Sequence, residues 1–225
     1  MRLKIVLLAL LVALSAAQAQ TPPSSIQIAK YSGLHKAAHE NDVRAIAKIV
    51  GQGGDLNVRD SYGRTPAHVA AFASNDEALN ALGKAGADMN ALENGIYDVV
   101  TIAAVANDPE LMSLAIELGN RTDLTTSVYD GTALIAAAHL GHHEVVRRLI
   151  KAGAPLDHVN NLHWTALIEA VVLGDGGANH TATVKALVDA GANTSLTDAS
   201  GVTALAHAEQ RGYTAMVELI KNAKH

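Results

Sequence analysis

The chain has 225 residues, a formal net charge of −5 from 17 Lys and Arg against 22 Asp and Glu, and no cysteine. An acidic body without basic runs lacks the cations that neutralise phosphates, which argues against DNA, RNA or an anionic membrane as a ligand. The absence of cysteine excludes disulfides, thiolate metal sites, a cysteine nucleophile and the acylated cysteine of a bacterial lipoprotein, so stability has to come from packing.

In chain order, Arg2 and Lys4 precede an apolar run over residues 5–14, and Ala17-Gln18-Ala19 then forms a small-x-small cleavage site. The pattern predicts a secretory signal peptide over 1–19. Its apolar run is shorter than the ~20 residues that span a bilayer, and no later segment is apolar enough to do so. Cleavage near Ala19 removes Arg2 and Lys4 and no acid, which takes the net charge from −5 to −7. Residues 20–30, with Pro22, Pro23 and two serines, read as a flexible leader.

From residue 32 a block recurs. Thr65-Pro66-Ala67-His68-Val69-Ala70-Ala71 returns in weaker form at 32, 98, 132, 165 and 203, so successive blocks start 33, 33, 34, 33 and 38 residues apart. A second marker keeps the same register: Gly53-Gly54, Gly86-Ala87, Gly119-Asn120, Gly153-Ala154 and Gly191-Ala192. A period of this size marks a repeat architecture.

The six opening residues, Ser32, Thr65, Asp98, Thr132, Thr165 and Thr203, are all helix-capping types, and Pro66 suits a first helical position, where its missing N–H costs nothing. The Ala pairs that follow allow close helix approach. Val145, Val146, Leu149 and Ile150 put one apolar face on a second helix, and a glycine able to turn left-handed ends it. In the third repeat, Asp108-Pro109-Glu110 supplies a cap, a first-position proline and an acidic first turn, so a helix is expected there although the preceding block is degenerate. Each repeat is therefore helix, turn, helix, loop, stable only through its neighbours.

The Thr-Pro-x-His-x-Ala-Ala motif at 65–71, the Gly141-His142 pair and the Gly-Ala-x-x-Asn ending at 86–90 resemble the ankyrin repeat, over residues 31–225. The resemblance implies an all-α solenoid of stacked helix-turn-helix units with β-turn fingers. Six repeats are expected, at 32–59, 60–92, 93–126, 127–159, 160–197 and 198–225, the outer two acting as caps. It also implies a non-enzymatic module that binds a protein partner through its concave face, made by the fingers and first helices.

Tyr31, Tyr97 and Trp164 stand one residue before a block, Tyr62 and Tyr129 three before, and Phe72 seven after the opening threonine. These positions resemble the family's contact positions, and Arg64, His139, Leu140, Leu162 and Arg211 occupy related ones. Tyr and Trp are enriched at the energetic centres of interfaces, so the set is expected to form the partner surface. The competing reading is that each ring packs on the next finger and stiffens it. On the binding reading, Trp164→Ala with Tyr97→Ala weakens partner capture and leaves the melting temperature nearly unchanged.

Repeat five carries an insertion over 174–180, expected to be a flexible loop or a second contact point; with no Gly-Lys-Ser or Gly-Lys-Thr after it, it is a poor phosphate cradle. His139, His142, His143, His158 and His163 raise the alternative of a metal or haem carrier. His35 and His68 match the motif histidine, His142 matches the residue after the inter-helix glycine, and Arg147 stands where a zinc-protease helix needs its second histidine. No metal, cofactor or catalytic residue is expected.

The location expected is the periplasm, and the chain is expected to be a monomer. Exported bacterial ankyrin proteins of this type accompany periplasmic catalase in some cases, which would imply support of an exported enzyme. A fully secreted protein that binds host proteins is the alternative.

Overall fold

The computed structural model describes residues 20–223; the expected signal peptide at 1–19 lies outside the described residues. These divide into two compact units, Gln20–Arg121 and a second beginning at Thr122. Among the described residues the elements are all helical, with one isolated antiparallel bridge between Thr197 and Thr203.

The first unit opens with a single turn, α1 (Ser25–Ile28), followed by three helix pairs: α2 (Gly33–His39) with α3 (Val43–Gly51), α4 (Pro66–Phe72) with α5 (Asp76–Lys84), and α6 (Val99–Ala106) with α7 (Pro109–Glu117). The second unit holds three more: α8 (Ala133–His139) with α9 (His143–Lys151), α10 (Ala166–Val172) with α11 (Ala178–Asp189), and α12 (Ala204–Arg211) with α13 (Thr214–Lys221). Within each unit first helices pack on first helices and second on second.

Helices this short are marginal alone, and burial of their shared faces holds them. Ala37, Ala38, Ala70, Ala71, Ala103 and Ala104 in the first unit, and Ala137, Ala138, Ala170 and Ala208 in the second, are buried, and side chains this small let the packed helices approach closely.

The capping expectation holds at four of the six blocks. Asp98, Thr132, Thr165 and Thr203 accept from the backbone N–H three residues on. Thr65 pairs with His68 instead, and Ser32 makes no side-chain cap bond. The degenerate third repeat keeps both helices, because Asp98 caps Thr101 and Asp108 caps Leu111.

Second helices end as the glycine marker predicts. Gly86 and Gly153 sit at φ +99° and +82°, and the following N–H groups of Ala87 and Ala154 donate back to Leu82 and Leu149.

Residues 20–30 differ from the expected flexible leader. Ser24 and Gln27 form a reciprocal capping box around α1, and Gln27 Oε1 also lies 3.2 Å from Arg64 Nη2. The same amide oxygen thus serves the local capping box and the buried Arg64 guanidinium, 37 residues further along the chain.

Candidate partner-binding surface

Five residues before each block opening stands a side chain that can accept hydrogen bonds, and this residue builds the fingers. Asp60 Oδ1 accepts from the N–H groups of Tyr62 and Arg64 at 2.8 and 2.9 Å. Asn160 Oδ1 does the same for Leu162 and Trp164, both at 3.0 Å, and Asp198 Oδ1 for Ser200 and Val202. Ser127 and Glu93 serve the equivalent N–H groups in their own loops. The main chain closes four of the turns, with the N–H of Asp60, Glu93, Asn160 and Asp198 donating to the carbonyl four residues on. Neighbouring fingers then join within each unit: Asn94 N–H donates to Tyr62 O at 3.0 Å, and Asn161 N–H to Tyr129 O at 2.9 Å.

This construction sorts the proposed contact residues into two rows. The residue three before a block lies at the finger tip: Tyr62 is 48% exposed, and Tyr129 and Leu162 are partly exposed. The residue one before a block points back toward the helices. Arg64 is 1% exposed and Tyr97 6%, so both are corrections to the expected surface. Arg64 is drawn in by Asp60, whose Oδ2 is 3.3 Å from its Nε, and lies against the Tyr62 ring with 4.5 Å from guanidinium carbon to ring centre. Tyr97 is buried where its carbonyl closes its own finger.

Tyr31 and Trp164, in the same row, keep partial exposure. Tyr31 stacks on His35 and donates its hydroxyl to Asp60 Oδ2 at 2.9 Å. Burial, then the bond to Asp60, pushes its phenol above the usual range. Burial works against the Asp60 carboxylate too, but the Arg64 and Tyr62 N–H groups, the Tyr31 hydroxyl and the guanidinium together hold its carboxyl below the usual range. For this row, the stiffening reading describes Arg64 and Tyr97.

Phe72 and His139 are partly exposed at the ends of α4 and α8, Leu140 is 39% exposed, and Arg211 is exposed at the end of α12. The structure adds exposed apolar loop residues that the sequence reading passed over: Val58 and Ile96 in the first unit, and in the second Val128, 61% exposed, and Val159, 44%. Their signal was available, since each is an apolar residue inside a loop whose neighbours are turn formers.

A sequence profile for ankyrin repeats in three copies matches residues 100–198, and one for many copies matches 34–82. The ankyrin repeat protein YahD of Escherichia coli (strain K12) is 31% identical over 186 residues, 82% of this chain and 92% of YahD. The chain belongs to the ankyrin-repeat family. Solved ankyrin structures agree: a domain from Acinetobacter baumannii AYE has a TM-score of 0.81 at 41% identity, covering 84% of this chain and 96% of that one. The ankyrin repeat domain of Bcl-3, from the IkappaB protein family, has a TM-score of 0.76 at 26% identity, with 86% of each chain covered. Ankyrin repeats generally mediate protein–protein interaction and are typically non-enzymatic binding modules.

The ankyrin motif histidine reaches further than its own loop. Thr65 N–H donates to His68 Nδ1 at 3.1 Å, which leaves Nε2 to carry the proton and donate to Tyr97 O at 3.0 Å in the next finger. Burial, above all, pushes the His68 imidazole down to about 4. His35 bonds the Arg64 carbonyl in the same way at 2.8 Å.

Other histidines of the ankyrin chain have structural partners too. His158 donates to Asp130 O, His207 lies 2.8 Å from Asp198 Oδ2, and His139 Nδ1 lies 3.4 Å from Oε2 of buried Glu169. Among the described residues, no group of three or more His, Cys, Asp or Glu is arranged to hold a metal ion.

The insertion is partly helical. Gly174–Gly177 forms a loop, and Ala178 onward lengthens α11 to 12 residues. Tyr213, the one aromatic outside the proposed surface, donates its hydroxyl to Gly174 O at 3.0 Å and fixes that loop.

Proposed function

We propose that this ankyrin chain is an exported, non-enzymatic binding module of the periplasm, which holds a protein partner through its finger tips and adjoining first-helix ends and so supports an exported enzyme such as a catalase. The observation that carries the binding reading is the set of apolar and aromatic finger residues, exposed Tyr62 and Ile96 in the first unit and exposed Val128 with partly exposed Leu162 in the second. Each tip is clamped by side-chain acceptors at its base, so little torsional freedom is lost on contact, and rigid presentation of such residues is what makes an interface tight.

Export rests on the N-terminal pattern of Arg2, Lys4, the apolar run and Ala17-Gln18-Ala19. The acidic balance of the mature chain favours a partner with a neutral or basic face.

The test is affinity capture from periplasmic extract with mass spectrometry, using wild type and the triple variant Tyr62→Ala, Val128→Ala, Leu162→Ala. One protein enriched by wild type and reduced at least tenfold with the variant, at unchanged helical content, supports the reading. Equal capture by both contradicts the assignment of the surface. Cell fractionation that finds the chain outside the periplasm contradicts the location.

A further inference from the structure

We propose that residues 174–180 form a proton-operated latch, in which doubly protonated His180 closes the inserted segment onto the 139–141 corner of the preceding repeat and its deprotonation loosens it. His180 Nε2 lies 3.0 Å from the carbonyl oxygen of His139, and His180 Nδ1 lies 3.0 Å from Asp175 Oδ1. A carbonyl and a carboxylate only accept hydrogen bonds, so both ring nitrogens have to donate, and only the imidazolium does that.

The Asp175 carboxyl is held below its usual range by the Gly177 N–H first and by His180 second, which keeps it ionised. The ring enters this corner because glycine lines it. A Cβ at Gly141 would stand 3.0 Å from the His180 ring, and one at Gly174 would stand 2.8 Å from it.

Loss of one proton leaves a neutral ring that keeps Nε2–H on the His139 carbonyl. Its Nδ1 lone pair then faces the Asp175 carboxylate, and attraction becomes repulsion. The Asp175 side chain is 78% exposed, so it turns into water and releases the 175–177 loop. An ion pair this exposed is weak, and the response is local opening rather than unfolding.

Other titratable and charged groups stand on the elements packed around His180. They are the His139–Glu169 pair of α8 and α10, His142, His143, Glu144, Arg147 and Arg148 at and along α9, Lys185 and Asp189 along α11, and Tyr213, Glu218 and Lys221 at and along α13. The Tyr213 hydroxyl stays on Gly174 O in either state, which makes that end of the loop the hinge.

Leu140 sits in the clamped corner with its side chain exposed. Where the latch affects binding, through how Leu140 is presented, it rests on the partner-surface reading; the latch itself does not.

The test is hydrogen exchange with mass spectrometry on the full mature chain at pH 5.5 and 8.0, corrected for intrinsic rates and followed in peptides covering 172–182. Protection is expected to be at least threefold higher at pH 5.5 in wild type. It should be independent of pH in His180→Gln, which keeps a donor for the His139 carbonyl, and in Asp175→Asn, which has a partner for either form of the ring. Nitrogen NMR of wild type at pH 5.5 should find both His180 ring nitrogens protonated. Equal protection at the two pH values in wild type, a pH response that survives in the variants, or a neutral ring at pH 5.5 would overturn the latch. No partner enters the measurement, so its failure leaves the binding surface as proposed, and failure of partner capture leaves the latch intact.

Discussion

Asn120 donates through Nδ2 to Oδ2 of Asp98 at 2.7 Å, and both residues are buried. In the repeats opened by Thr65, Thr132 and Thr165 the glycine marker is followed by alanine; where Asp98 replaces threonine, the marker becomes Gly119-Asn120. The third repeat therefore carries a matched pair of changes. Burial, foremost, pushes the Asp98 carboxyl up, so its ionised form disfavours the fold at neutral pH and that cost fades as pH falls through the raised value. Asn120→Ala is expected to lose about 1–3 kcal/mol, more at pH 7 than at pH 4. The double variant Asp98→Thr, Asn120→Ala restores the pattern of the other repeats and should recover most of it. Denaturant titrations of the four proteins at both pH values measure the coupling, and additive losses would contradict the pairing.

His68 gives the opposite pH dependence. Its folded value of about 4 lies below the usual 6.5, so the stability it contributes is complete above about pH 6.5 and is lost as pH falls through about 4. The shift corresponds to about 3 kcal/mol. The stability difference between wild type and His68→Ala should shrink by that order between pH 7.5 and pH 4. Parallel pH profiles for the two proteins would show that the ring is not held neutral.

Glu169 connects a finger to two helices of the second unit. Its Oε1 accepts from Asn160 Nδ2 at 2.8 Å, and its Oε2 faces His139 Nδ1. Glu169→Ala leaves Asn160 short of a partner and should cost about 2 kcal/mol, with faster proteolysis of the 160–164 finger. Glu169→Gln keeps an acceptor for Asn160 and should cost less than half as much. Equal losses in thermal melts would mean that charge, not hydrogen bonding, holds the finger.

Tyr97 and Tyr62 separate burial from binding. Tyr97→Ala opens a cavity beneath the second finger and should destabilise by about 3 kcal/mol, unlike the near-neutral effect expected from sequence. Tyr62→Ala removes an exposed ring and should leave the melting temperature within about 2 °C. Calorimetry of both variants checks the contrast.

The repeat register was legible because each marker answers to one local need, a capping oxygen at Thr132 or a left-handed turn at Gly153, that recurs wherever the helices do. The outward and inward rows were not. Tyr62 and Arg64 are two residues apart in one loop, and which of them faces solvent follows from Asp60 drawing the guanidinium inward and taking both N–H groups. The acceptor at that position recurs as Glu93, Ser127, Asn160 and Asp198, five residues before each block, but its chemical variety hides it from a search for identical residues. The turn over residues 25–28 had a local signal, the Ser24-x-x-Gln27 capping box, whereas the meeting of Gln27 with Arg64, 37 residues away in the chain, had none.

The most direct measurement of the partner surface is site-specific photo-crosslinking in cells that express the full chain. A photoreactive residue placed at Tyr62, Val128 or Leu162 should give adducts with one and the same protein, while Lys48 and Glu218 on the second helices should give none. Adducts that form only from Lys48 and Glu218, or equally from all five positions, would contradict a binding face built from the finger tips.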